Sequence, residues 1–241
     1  MPSAIVTGGA SGIGRATCEL LLRDGWQVAI ADRDFTGAQE AARALGGIPL
    51  AVDVSDEASV AAMVEAAVAE FGGTLDGLAT PAGIADTTPF MEIDRGTFDR
   101  VYAINVLGTF FCVREAAKRM KPGARICTVA SVAGKRGGGL SGTAAYAASK
   151  GAVLALSRNA ARALAPLGIA VNCVAPGATE TPMVAQAFAD RDHRERVESL
   201  TLLGRSAAPG EIAEAIAWLL SPRSSFVDGE TLTVDGGLML D

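Results

Sequence analysis

Short apolar runs rich in Val, Ile and Ala alternate along the chain with longer segments whose apolar positions recur at helical spacing. Ala4-Ile5-Val6 is the first such run, followed by a glycine-rich turn that opens a helical pattern near Ile13. Val28-Ala29-Ile30 and Leu50-Ala51-Val52 predict the second and third strands, with helices at Gln39–Leu45 and Glu57–Phe71. Leu75–Thr80 predicts a fourth strand, and one long helix is expected from Phe98 to Met120. Arg125–Ala130 is the fifth strand, Ala145–Leu164 a helix and Ile169–Val174 the sixth strand. A charged, irregular stretch from Pro182 to Arg205 precedes a helix at Glu211–Leu220 and a last strand at Thr231–Val234. Continuously apolar strands separated by helices indicate a parallel sheet covered on both faces. The expectation is one α/β domain, a doubly wound Rossmann fold with a seven-stranded sheet.

The turn after the first strand reads Thr7-Gly8-Gly9-Ala10-Ser11-Gly12-Ile13-Gly14. Between a strand and a helix, such a turn lets backbone N–H groups and the helix dipole hold a pyrophosphate. An ordinary glycine turn is the competing explanation. Asp32 stands at the end of the second strand, where a carboxylate can accept hydrogen bonds from an adenosine ribose and repel a 2′-phosphate. That favours NAD over NADP, although Arg33 beside it could greet a 2′-phosphate. Asp53, with Val54, follows the third strand and is placed for an adenine rim; a helix N-cap is the alternative role for Asp53.

Tyr146 and Lys150 are four apart in a predicted helix and so share one face. A nearby ammonium favours the phenolate, and bringing a tyrosine from about 10 to about 7 takes roughly 4 kcal/mol. Such a tyrosine could serve as a general acid/base near neutral pH. Alone the pair is weak, because a half-buried tyrosine beside a solvated lysine is common.

Composition narrows the remaining options. The 241 residues, 49% of them apolar, suffice for one large core, and the net charge of −6 with no long basic run argues against a nucleic-acid or anionic-membrane surface. No apolar run is long enough to span a bilayer, and no signal peptide is apparent. Cys18, Cys112, Cys127 and Cys173 are scattered among apolar neighbours, which suggests reduced core residues of a cytoplasmic protein. The single histidine, His193, lies in a charged run and reads as a solvated loop residue, leaving no material for a serine–histidine triad or a histidine-rich metal site. No metal is expected.

Taken in order, these motifs resemble the short-chain dehydrogenase/reductase family from Ala4 to about Gly237. Thr7-Gly8-x-x-x-Gly12-x-Gly14 is similar to its cofactor turn, Asn105-Val106-x-Gly108 to its active-site asparagine motif, and Ser131 with Tyr146-x-x-x-Lys150 to its catalytic set. Pro176-Gly177 with Thr181-Pro182 resembles the segment covering the nicotinamide, and Val234-Asp235-Gly236-Gly237 the final strand. The resemblance implies that Tyr146 exchanges the substrate proton, that Lys150 lowers the tyrosine pKa and holds the nicotinamide ribose, and that Ser131 orients the reacting oxygen. It implies that Asn105 holds a water linking Lys150 to solvent, and that Thr181 bonds the carboxamide. The cofactor-binding set it implies is Gly8, Ser11, Gly12, Ile13, Gly14, Asp32, Asp53, Val54, Ala82, Gly83, Tyr146, Lys150, Pro176, Gly177, Thr179 and Thr181.

Three positions depart from the family pattern. Thr80-Pro81-Ala82-Gly83 stands where the family usually has Asn-Asn-Ala-Gly, so Pro81 removes an N–H and reshapes the cofactor shelf. The spacing from Ser131 to Tyr146 is longer than usual, the excess falling in Gly134–Gly139, expected as a flexible loop at the substrate mouth. Asp228 replaces a frequent threonine and is expected to be a surface change only.

The substrate is the least legible feature. Met183 to Arg205 is expected to be a lid, and its mixture of Met183, Val184 and Phe188 with charges suits a small or medium polar alcohol. Lys135 and Arg136 could meet an anionic substrate, though solvated loop charges are the simpler reading. The reading ranked first is an NAD-dependent secondary-alcohol, polyol or hydroxysteroid-type dehydrogenase. An NADP-dependent 3-oxoacyl-[acyl-carrier-protein] reductase is the alternative, disfavoured by Asp32 and by the turn Ala165-Pro166-Leu167-Gly168, which lacks a basic docking residue. A cofactor-independent lyase-like relative would lose the glycine turn, and a nucleotide sensor or scaffold would lose Tyr or Lys; this chain keeps all of them. The family implies a homo-oligomer, expected as a tetramer, with Phe110–Met120 and Val153–Leu164 packed across a two-fold.

Overall fold

The computed structural model describes residues 1–138 and 143–240. Strand β1 (Ser3–Thr7) leads through the glycine turn to helix α1 (Gly12–Arg23), then β2 (Gln27–Asp32), α2 (Phe35–Leu45), β3 (Ile48–Ala51), α3 (Glu57–Glu70) and β4 (Leu75–Thr80). Beyond β4 come α4 (Arg95–Tyr102), a π turn at Ala103–Leu107, α5 (Gly108–Ala117) and β5 (Met120–Val129). A single helical turn, α6 (Ala133–Arg136), precedes α7 (Ala144–Leu164) and β6 (Ala170–Pro176). The chain closes with α8 (Ala185–Phe188), α9 (Arg191–Glu198), α10 (Pro209–Leu220) and β7 (Thr231–Val234).

All seven strands are parallel, in the order β3-β2-β1-β4-β5-β6-β7. Strand side chains alternate between faces. Ile5 therefore joins a core with residues of α3, α5 and α7, while Ala4 and Val6 join one with residues of α1, α2 and α10. The chain reverses its direction of winding between β1 and β4. A crevice opens there beyond the carboxyl ends of the strands, the usual ligand position in such sheets.

Two stretches differ from expectation. The single helix expected over Phe98–Met120 is interrupted by the π turn, where the Gly108 N–H bonds the Ala103 carbonyl, and β5 begins already at Met120, paired with Leu75. Helical spacing of apolar residues runs on through the extra residue, so the pattern carries no sign of it. The stretch expected to be irregular holds α8 and α9 instead. Only Val197 of α9 is buried, so it shows no apolar periodicity; its helix is supported by Asp190, which accepts from the Asp192 and His193 N–H groups, and by Arg–Glu pairs one turn apart. His193 is thus a half-buried helical residue rather than a solvated loop residue.

Candidate active site

The crevice is a cleft of about 360 Å³ lined from the ends of six strands. At one end lies the glycine turn. Gly8 and Gly12 adopt φ of +64° and +52°, and a Cβ on Gly14 would stand 2.0 Å from the Gly8 carbonyl oxygen. The turn therefore closes only with glycine, leaving the first turn of α1 with no side-chain cap and Ser11 exposed on the cleft wall. That is a fit for a pyrophosphate.

Asp32 borders the same end. Its carboxylate accepts from the N–H groups of Ala10 and Asp34, each at 3.0 Å, which fixes it against the glycine turn. The Arg33 side chain lines the cleft beside it. Asp53 accepts from the Ser55 N–H (2.9 Å) and hydroxyl (2.6 Å), and these bonds hold its carboxyl below the usual range. The helix N-cap considered for Asp53 is filled by Asp56, which accepts from the Ala58 N–H at 2.9 Å.

Ser131, Tyr146 and Lys150 meet at the other end. Ser131 follows β5, and its hydroxyl accepts from the Ala133 N–H at 3.1 Å, starting α6. That turn lies against α7 so closely that a Cβ on Gly134 would stand 2.6 Å from the Lys150 carbonyl carbon. Tyr146 and Lys150 are on adjacent turns of α7, with the lysine Nζ 5.8 Å from the tyrosine ring centroid. Lys150 is 5% exposed, and its ammonium donates to the Val129 carbonyl at 2.9 Å. Burial pulls its pKa down from 10.5 to about 8. Burial also pushes the Tyr146 phenol up, opposed by its interaction with the Ser131 side chain. In this arrangement the protein's own groups do not bring the phenol toward neutral pH.

Asn105 is fully buried in the π turn. Its Oδ1 accepts from the Ile84 N–H (2.9 Å), and its Nδ2 donates to the Ile84 carbonyl (2.9 Å) and the Ser149 hydroxyl (3.0 Å). The side chain thus clips the loop after β4 to α7, and its polar atoms are committed to that clip. Gly83 separates Asn105 from Lys150; a Cβ there would come within 3.1 Å of Asn105 Oδ1 and 3.5 Å of Lys150 Nζ.

Most of the residues expected from the sequence therefore meet in one place. Gly8, Ser11, Ile13, Gly14, Asp32, Asp53, Val54, Ala82, Gly83, Ser131, Tyr146, Lys150, Pro176, Gly177, Thr179 and Thr181 all line the cleft. Gly12 and Asn105 do not; Gly12 packs beneath Thr181 and Pro182. Thr179 turns its hydroxyl to the Gly177 carbonyl at 3.1 Å. Ile84, Ile104, Val132, Ala133 and Ala178 are among the further wall residues that were not foreseen, since isolated apolar residues near a motif carry no distinguishing pattern.

The departures have defined consequences. Pro81 lines the cleft, the Ala82 N–H reaches the Thr7 hydroxyl at 3.4 Å, and the buried Thr80 hydroxyl has no hydrogen-bond partner. Gly134 to Arg136 lies within a helical turn rather than a loop, and Gly139 falls outside the described residues. Lys135 donates to the Thr233 hydroxyl at 2.8 Å and is not part of the cleft wall. Asp228 is more than a surface change, because its exposed carboxylate accepts from the Val171 N–H of β6 at 2.9 Å. All four cysteines are buried without disulfides, and burial pushes Cys112 up to about 12. Among the described residues no cluster of His, Cys, Asp and Glu could hold a metal ion, and no helix is long and apolar enough to cross a membrane.

A family model described as "Enoyl-(Acyl carrier protein) reductase" matches residues 8–239, nearly the whole chain. The chain belongs to the short-chain dehydrogenase/reductase family. Among the relatives of this dehydrogenase/reductase is a cis-4-hydroxycyclohexanecarboxylate dehydrogenase of Sinomonas cyclohexanicum, 43% identical over 97% of this chain and 95% of the relative. A sorbitol dehydrogenase of Cereibacter sphaeroides is 36% identical over 98% of this chain and 96% of the relative. A solved glucose/ribitol-type short-chain dehydrogenase/reductase from Brucella melitensis superposes with a TM-score of 0.93 at 36% identity, covering 100% of this chain and 97% of that one. These relatives support an oxidoreductase acting on CH–OH groups.

Proposed function

We propose that this chain is an NAD-dependent secondary-alcohol dehydrogenase working through Ser131, Tyr146 and Lys150. The observation that carries the reading is the single cleft that joins the glycine turn and Asp32 at one end to Ser131, Tyr146 and Lys150 at the other. Asp32, fixed by two backbone N–H groups, offers its carboxylate to ribose hydroxyls and repels a 2′-phosphate. When bound, the dinucleotide accepts or supplies the hydride, and its oxidised ring adds positive charge beside Tyr146. Ser131 donates to the substrate oxygen and orients it. Tyr146 takes the hydroxyl proton in oxidation and returns it in reduction. Lys150 gives up its bond to Val129 for the ribose hydroxyls, and its charge works against the upward push that burial exerts on Tyr146.

Asn105 keeps Ile84 and Ser149 in place; since its side chain is committed, a relay water would rest on backbone atoms instead. Residues 182–205 act as a lid, and the homo-oligomer pairs α5 and α7 across a two-fold. A carrier-protein reductase is the second reading, favoured by the wording of the family model and disfavoured by Asp32 and the uncharged turn 165–168.

The test is Tyr146→Phe, with parallel NAD and NADP titrations. The variant should retain NAD affinity and lose turnover by roughly 10² to 10⁴. Undiminished turnover, or a preference for NADP in the parent chain, would refute the corresponding half of the proposal.

A further inference from the structure

We infer that the substrate is a neutral, largely apolar secondary alcohol or its ketone, and that the chamber rejects substrates carrying a carboxylate or a chain of hydroxyls; this rests on the dehydrogenase reading above. The apolar residues that the loops after β4, β5 and β6 give to the cleft wall include Ile84, Val132, Ala133, Ala178, Met183 and Val184. The charged residues of the cleft are Asp32, Arg33, Asp53 and Lys150. The first three sit at the ends of β2 and β3, across the sheet from Tyr146. Lys150 is buried and turned to Val129.

Several cations of the surrounding segments are occupied elsewhere, and Arg136, exposed on α6, does not line the cleft. Lys135 donates to Thr233, Arg191 to Glu195, and Arg205 to Glu211 through both of its terminal nitrogens and carboxylate oxygens. Arg194 pairs with both Glu180 and Glu198. The lid charges that made a polar substrate attractive from sequence therefore satisfy one another outside the chamber. Phe188, one of the apolar residues of the lid, lies beneath Arg194 and does not line the cleft.

Besides Lys150, the buried ionisable side chain of the loop after β4 is an acid. Asp86, 6% exposed and two residues beyond Ile84, accepts from the hydroxyls of Thr88 and Thr143, each at 2.9 Å. Thr143 stands at the N-cap position of the helix that carries Tyr146, its hydroxyl turned to Asp86. A substrate carboxylate would meet apolar walls, with Lys150 turned to Val129 and no other cation near Tyr146 among the described lining residues to replace its water. A polyol would leave hydroxyls without partners.

The test measures kcat/KM for the purified full chain, with NAD and with NADP. The substrates are cyclohexanol, the same ring carrying a 4-carboxylate, a six-carbon polyol and 2-octanol. Either neutral apolar alcohol should exceed the carboxylate and the polyol by at least about thirtyfold, within the range that pocket chemistry delivers. Equal or better use of the carboxylate or polyol overturns this inference and leaves the dehydrogenase reading standing. Turnover of none of the four overturns that reading and the inference with it. Val184→Arg, with Met183→Arg as a second position, should raise the carboxylate's kcat/KM relative to cyclohexanol by about tenfold through a new counter-ion; no shift in either folded variant counts against the assigned chamber wall.

Discussion

Replacing Lys150 with Met keeps the length of a buried side chain and removes its charge. In the folded protein Lys150 titrates at about 8 against an ordinary 10.5, because it is removed from water. That shift corresponds to about 3 kcal/mol of differential free energy. The folded chain binds fewer protons than the unfolded chain between pH 8 and 10.5, so this contribution to stability rises with pH through that window. Below pH 8 both states are protonated, and the folded state carries the whole cost of burying the ammonium. Lys150→Met removes the cost but leaves the Val129 carbonyl without its donor, a loss of about 1–3 kcal/mol that does not vary with pH. The stability of the variant minus that of the parent should therefore fall by about 3 kcal/mol as pH rises from 7.5 to 10.5. Urea unfolding at intervals of half a pH unit measures it, with both proteins in a Tyr146→Phe background so that the upshifted phenol does not contribute. A difference that stays flat across the window would refute the reasoning.

Other changes test the remaining parts of the site. Asp32→Ala removes the acceptor at the cofactor end and should shift the NAD-to-NADP ratio of kcat/KM toward NADP by about tenfold or more, read from paired cofactor titrations. Asn105→Ala breaks three hydrogen bonds and strands the Ile84 backbone groups, so urea unfolding should show a loss of about 2–4 kcal/mol, with kcat lowered even where the protein stays folded. Asp228→Ala should cost about 1 kcal/mol by the same measurement and leave kcat unchanged, because its bond to Val171 lies on the edge of β6 away from the cleft.

The sheet was legible because each buried parallel strand is a short apolar run bounded by polar residues, and all seven runs appear as strands. The cofactor end was legible for a different reason: glycine spacing is dictated by backbone contacts as close as that between Gly14 and Gly8, which no other residue tolerates. Long-range polar clips were not legible. Asp86 meets Thr143, and Asp228 meets Val171, each across 57 residues, and nothing local marks either acid as anything but a loop residue. Side-chain direction was equally hidden, so nothing in the sequence showed that Arg191 and Arg194 of α9 are paired with Glu180, Glu195 and Glu198. The direction of the tyrosine shift also depended on burial, and helical spacing alone conveys proximity to Lys150 and nothing of the desolvation that pushes the phenol up.

The widened turn at Ala103–Leu107 gives this chain an unusual vulnerability. Its surplus residue is absorbed inside a continuous rod, so deleting one position there could restore regular winding without opening a gap. The rod would survive with its two ends still nearly in phase, because the widened turn spends about five residues on the rotation that a regular turn makes with about four. The residues inside the turn, however, would be re-aimed. Asn105 could then no longer face Ile84 and Ser149 together. Circular dichroism would report an intact helical protein whose catalytic floor had come apart.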